Sequence, residues 1–229
     1  DKLPREWGRT SIEEVRLLAV DGVRQSSPPL LPVEWVVQEG ATDDRTVMRT
    51  PLPQAVPAGG SVTVRVKFTA VLPPAFRRSG AGGEGYLHAV QWFPKLGVFE
   101  ARDGETAWNC LPYHYLTEFY ADYGSYRVDL TLPDAYLAEG DPCVHCDLRL
   151  HPVGASGSLM DEPENNGDGT ATWRFWAEDV HDFAWTVDPE FLVFHRVFRA
   201  EEEPWTRPAE EARVAAALGR TVEETRPSQ

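Results

Sequence analysis

Across 229 residues, with 42% hydrophobic and 25% charged, the composition is that of a globular protein long enough to bury a core of its own. A formal net charge of −14, from 36 acids against 22 Lys and Arg, argues against nucleic acid and anionic lipid as partners, because both need a basic footprint. Three cysteines offer no disulfide framework, and no run of roughly 18 apolar residues is present to span a membrane.

Read in chain order, the opening DKLPREWGRT has neither a basic start nor an apolar run, nor an initiator Met. The expectation is a segment of a longer protein whose localisation is hidden. EEVRLLAV, VEWVVQ and RTVMRT then read as short strands. PAGG, at 57–60, marks a turn before SVTVRVKFTAVL, where Val62, Val64, Val66 and Phe68 share one face and Thr63, Arg65, Lys67 and Thr69 the other. RRSGAGGEG is glycine-rich but lacks G-K-[ST] and precedes a strand, so it reads as a surface loop or hairpin and not a phosphate loop. GYLHAVQWF is the next strand candidate.

SYRVDLTLP repeats the period of two through Tyr126, Val128, Leu130 and Leu132. DLRLHP is a shorter candidate, and ENNGDGT is a turn leading into TATWRFWAE, where Ala171, Trp173, Phe175 and Ala177 alternate. FAWTVD and FLVFHRVF follow, the latter apolar on both faces and so expected to be covered on both. About ten such strands, at spacings of roughly ten to fifteen residues, indicate an all-β fold: a sandwich or a pair of curved sheets. RPAEEARVAAALGR has Pro208 near a first turn, Glu210 and Glu211 behind it and Gly219 as a C-terminal cap, which makes a short helix. The plan is one β-domain over 1–199 and a linker with a short helix over 200–229.

The six histidines, at 88, 114, 145, 151, 181 and 195, contain no H-E-x-x-H. His114 and Glu118 stand at i and i+4, two ligands short of a site. CVHC, Cys143 to Cys146, is a lone C-x-x-C with only Cys110 left as a further thiol; metal binding and oxidation both stay open for it. The acids Asp161, Glu162, Glu164 and Asp168 lack the order of an EF-hand loop and read as a solvated turn. No G-x-S-x-G elbow is present. With no complete catalytic constellation, a free-standing enzyme is disfavoured.

QWFPKLGVFE, then WNCLPYHYLTEFYADYGSYRVDLTLP, then NNGDGTATWRFWAEDVHDFAWTVDPEF resemble, in that order, the N-terminal β-domain of aminopeptidase N-like zinc metallopeptidases of the membrane alanyl aminopeptidase (gluzincin) family. The likeness is to a divergent bacterial branch with recurring W-[FY]-P-K, E-F-[FY]-x-x-[FY]-G and D-F-A-W, and it is densest over residues 86–192. It implies a saddle-shaped β-structure followed by a thermolysin-like catalytic domain carrying the zinc. This chain then lacks the catalytic machinery and is inactive alone, with no cofactor of its own and the zinc held by the missing domain. Its partners are its own C-terminal catalytic domain and, through the parent, a peptide substrate.

Family members carry Q-x-E-P, whose Gln and Glu reach the substrate's N-terminus. Gln91 and Pro94 match it, and Phe93 stands at the Glu position, which removes a carboxylate that would neutralise the substrate amine. Gln91 is therefore the candidate substrate-binding residue, with a side chain bonded inside the sheet as the alternative. The rings of Trp92, Phe93, Phe99, Trp108, Tyr113, Tyr115, Phe119 and Tyr120 are expected in the core or against the catalytic domain. The competing function is a stand-alone β-sandwich module that holds carbohydrate or peptide on exposed Trp and Tyr.

Overall fold

The computed structural model describes residues 8–37, 44–74, 78–111, 119–137, 148–150, 152–189 and 191–194, with Ala212, Ala215 and Ala216 of a C-terminal helical stretch. The strands among these residues are β1 (Arg9–Val20), β2 (Val23–Arg24), β3 (Glu34–Trp35), β4 (Met48–Arg49), β5 (Val62–Val71), β6 (Gly80–Ala81), β7 (Leu87–Ala89), β8 (Val98–Arg102) and β9 (Glu105–Asn109). They continue with β10 (Gly124–Pro133), β11 (Leu148–Leu150), β12 (Val153–Ala155), β13 (Ser158–Leu159), β14 (Glu164–Asn165), β15 (Thr170–Val180), β16 (Trp185–Val187) and β17 (Leu192–Phe194). Every ladder between them is antiparallel, so the fold is all-β and sandwich-like, as the strand spacing indicates.

The main core lies between two sheets. One has the order β10-β15-β13, with β14 also on β15, and the other has the order β12-β16-β7-β6. In β15 Ala171, Trp173, Phe175 and Ala177 are buried as read from sequence; Trp176 and Glu178 on the other face meet solvent, while Thr172 on that face is buried too. Leu130 of β10 joins them, Val153 and Val187 close the core from the other sheet, and Phe183, from the segment between β15 and β16, fills it. Phe183 is fully buried, a placement that contributes about 1.5–3 kcal/mol by apolar burial alone.

A smaller core belongs to the sheet β2-β1-β5, where Val15, Leu17 and Leu31 are buried with Ile12, Val33, Leu52 and Val66 against them. Segment 28–31 runs along the free side of β1, with Leu31 N donating to Val15 O and Leu17 N to Pro29 O. β5 keeps its alternation only in part: Val66 and Phe68 are half-buried, but Val62 and Val64 are exposed, although they stand opposite Val20 and Leu17 of β1.

Both sequence-read turns form. Gly60 N donates to Pro57 O across PAGG, and the Asp21 carboxylate accepts from Ser61 N to tie this turn to β1. In ENNGDGT, Asn165 accepts from Gly167 N and Asp168 from Thr170 N, with Gly167 and Gly169 at positive φ. RRSGAGGEG supplies the short β6, which pairs with β7, and a 3-10 turn at Gly83–Gly85. Ala212, Ala215 and Ala216 are helical, within the span expected for a short helix. The coverage expected for FLVFHRVF falls on side chains outside the described residues, as do the C-x-x-C at 143–146 and the pair His114 and Glu118.

Candidate functional site

The site builds from β7. This strand is held on one side by β6, with Ala81 opposite Leu87, and on the other by β16, with Trp185 opposite Ala89. The sequence pattern extends the strand to Phe93, yet it stops at Ala89. The cause is Gln91, whose φ of 55° turns the backbone into the left-handed region that only glycine occupies without strain.

Two locks bracket this turn. Before it, the Ser79 hydroxyl donates to Val90 O at 2.5 Å and accepts from Val90 N at 2.8 Å, so one side chain satisfies both backbone groups of the residue that leaves the ladder. After it, the Trp92 indole N–H donates to Phe183 O at 3.0 Å. The Gln91 side chain is half-buried and has no hydrogen-bond partner among the described residues.

Further along, Lys95 Nζ lies 2.9 Å from Asp182 Oδ1, with the side chains only 12% and 14% exposed. The ammonium is off the line of a hydrogen bond, so the attraction is Coulombic; Asp182 Oδ1 accepts its aligned bond from Phe183 N at 2.8 Å. Lys95 Nζ also stands 5.9 Å from the Phe93 ring centroid. The segments Gln91–Lys95 and His181–Trp185, separate in sequence, thus meet as one junction.

Most rings of the opening motif are packing at this junction. Trp92 sets its edge on Phe93 (centroids 5.2 Å) and Trp185 (6.2 Å), and lies 6.1 Å from Phe68 of β5. Phe93 meets Tyr126, and Tyr126 meets Phe183. Burial, and then the negative Asp182, push the Tyr126 phenol above its ordinary value. Phe93 is thereby a member of the ring cluster.

The other aromatic residues behave differently. From Val98 the chain forms the β8–β9 hairpin, with Asp103 and Gly104 both at positive φ in its two-residue turn. Phe99 and Trp108 face each other across it, ring centroids 5.2 Å apart, and are 57% and 59% exposed. On the opposite face the Glu100 carboxylate accepts from Asn109 Nδ2 and from Tyr120 OH. These bonds hold Glu100 below the usual carboxylate range, while the Glu100 partner pushes the Tyr120 phenol up. At the root, Gly97 lies so close to Cys110 that a Cβ there would collide with Sγ. Tyr113 and Tyr115 lie outside the described residues, and Phe119 is half-buried.

The hairpin is an element that the strand patterns miss. VFEAR and ETAWN show no polar-out alternation, but the Asp-Gly between them is a strong hairpin signal.

Chemically the region presents groups and lacks a reacting pair. The Ser79 hydroxyl is engaged by Val90, and burial raises the Cys110 thiol, which disfavours its nucleophilic thiolate. Among the described residues no three His, Cys, Asp or Glu side chains group as a metal site. Of the acids at 161–168, Glu164 pairs with Arg174 and Asp168 caps Thr170. Comparison of the chain with family models, with curated proteins and with solved structures finds no match.

Proposed function

We propose that this chain is the non-catalytic N-terminal β-domain of a zinc-dependent, aminopeptidase-like metallopeptidase. In this reading it packs on the catalytic domain and forms part of the wall of the substrate cleft. The observation that carries the reading is Gln91: its backbone takes a strained left-handed turn between the Ser79 and Trp92 locks, and its half-buried side chain has no hydrogen-bond partner among the described residues. A polar side chain kept ready in that way suits a ligand that arrives from outside the chain. In the resemblance, this residue is the one that reaches the substrate's N-terminus.

The exposed rings of Phe99 and Trp108 on the β8–β9 hairpin support the same reading, since exposed apolar side chains are what a neighbouring domain would cover. The rival reading, a sugar or peptide module, draws on the exposed Trp108. Its ring is tilted 58° from Phe99, so the two make no flat stacking surface, and the nearby polar groups Glu100, Asn109 and Tyr120 lie on the other face, bonded to one another.

The test is the coding frame beyond Gln229 together with an assay. An H-E-x-x-H in the following domain is expected, with the purified 229-residue chain inactive on aminoacyl reporter substrates. A frame without that motif, or chelator-sensitive turnover by the chain alone, would sink the reading.

A further inference from the structure

We infer that Asn166 is a site of spontaneous modification, converted to aspartate or isoaspartate with loss of ammonia. The conversion is gated by the turn between β14 and β15 and, once made, releases β14 from the sheet it shares with β10 and β15.

The chemistry lies in the pair Asn166–Gly167. The Gly167 backbone nitrogen attacks Asn166 Cγ, the Cγ–Nδ2 bond breaks, and the amide proton passes through solvent to the departing nitrogen, which leaves as ammonia. The product is a cyclic imide. Water then opens the ring at either carbonyl, giving aspartate or, with the main chain rerouted through the side chain, isoaspartate. Glycine has no Cβ to shield its nitrogen, and both residues are exposed, so water and hydroxide reach the site.

In the closed turn the two reacting groups are bonded elsewhere. Gly167 N donates to Asn165 Oδ1 at 2.9 Å, while Asn166 Nδ2 donates to Thr170 Oγ1 at 2.9 Å and to Thr172 Oγ1 at 3.1 Å. Asn166 N also donates to Thr170 O, which fixes the main chain where the turn begins. The reaction therefore waits for the turn to open, a local event that leaves the core intact.

The same bonds decide what conversion does. Thr172 is buried, and its hydroxyl meets that of Thr131 on β10 at 2.9 Å, so the Asn166 carboxamide completes a polar chain across the sheet. A carboxylate in its place has no N–H to give. It also adds a like charge to a turn that already holds Glu164 and Asp168, and Asp168 already takes the Thr170 hydroxyl. Isoaspartate goes further. Its extra main-chain carbon disturbs the register in which Glu164 faces Thr172 and Asn165 faces Ala171, the two pairs that hold β14 to β15.

Peptide mapping by mass spectrometry, with fragmentation that separates aspartate from isoaspartate, tests the inference on the purified chain held in mildly alkaline buffer. Conversion at Asn166 should be measurable in the native chain and at least about 10-fold faster in urea, where the turn is open throughout. Asn165→Ala removes the acceptor of Gly167 N at an exposed position and should speed native conversion several-fold. In the converted chain, hydrogen exchange over residues 164–172 should quicken while that of β1 and β5 stays unchanged. Native conversion as fast as in urea, or unaltered by Asn165→Ala, overturns the gate. A native chain whose Asn166 stays intact overturns the site itself, and unchanged exchange over 164–172 after conversion overturns the release of β14.

Discussion

Lys95 and Asp182 form an ion pair at 2.9 Å, 12% and 14% exposed, between the W-F-P-K segment and the H-D-F-A-W segment. It is the only contact of opposite charges across this junction among the described ion pairs, and Lys95 also stands against the ring of Phe93, a member of the aromatic cluster with Trp92 and Tyr126. The two motifs are therefore two halves of one structural joint, and Gln91 is placed by that joint.

Removing one member leaves the other charge buried and uncompensated. Lys95→Met should destabilise the chain by about 3 kcal/mol, at the low end of the range for a broken buried pair because both side chains keep some solvent access. Replacing both, as Lys95→Met with Asp182→Leu, should recover most of the loss. Urea denaturation followed by tryptophan fluorescence measures both; equal losses for the single and double variants would mean that packing, not charge, holds the joint.

Gln91→Gly separates function from stability. Glycine occupies φ of 55° without the strain that Gln bears, so the fold should gain up to about 1 kcal/mol, less the extra entropy of a glycine in the unfolded chain. Under the proposed function, the same change in the full reading-frame product should raise KM for aminoacyl substrates. A variant that is no more stable and binds substrate normally would show that the turn is ordinary and the amide idle.

Much of the scaffold is legible in single strands. β5, β10 and β15 announce themselves through alternation, and PAGG and ENNGDGT through turn chemistry, because those signals are local. The site is less legible because it depends on pairings far apart in sequence, Ala89 with Trp185 and Trp92 with Phe183, which no window of neighbouring residues encodes. The left-handed turn at Gln91 is opaque for a different reason. Gln has no preference for that region, and the Ser79 and Trp92 locks impose it from outside. Phe93 shows the reverse case: a position that a short motif leaves unexplained is explained by the ring cluster it joins.

Stability should fall in acid along the β1–β5 face. Glu13 is held below the ordinary glutamate value of 4.5 by hydrogen bonds from Lys67 and Thr69, and Glu14 by the Arg16 guanidinium and then Arg65. Each folded carboxyl binds protons less readily than its unfolded counterpart. The stability this contributes is present above about pH 4.5 and is lost as pH falls through the lowered folded values. Urea midpoints taken from neutral pH down through this window should decline, and Glu13→Gln with Glu14→Gln should flatten the decline. An unchanged slope in that double variant would assign acid sensitivity to other carboxylates.

The root of the hairpin offers a size test that requires no knowledge of a partner. Gly97 has no Cβ because Cys110 Sγ occupies its place, while Cys110 Cβ would be 3.7 Å from an added Cβ, an ordinary contact. Gly97→Ala should therefore cost about 1–3 kcal/mol as an overpacking defect. In the pair Gly97→Ala with Cys110→Ala, the alanine methyl enters the space the sulfur leaves, and most of that cost should vanish. Chemical denaturation of the parent, both singles and the double gives the coupling between the two positions. A coupling near zero would mean that the two strands part at their root to admit the methyl, and that Gly97 does not fix the direction in which the hairpin projects.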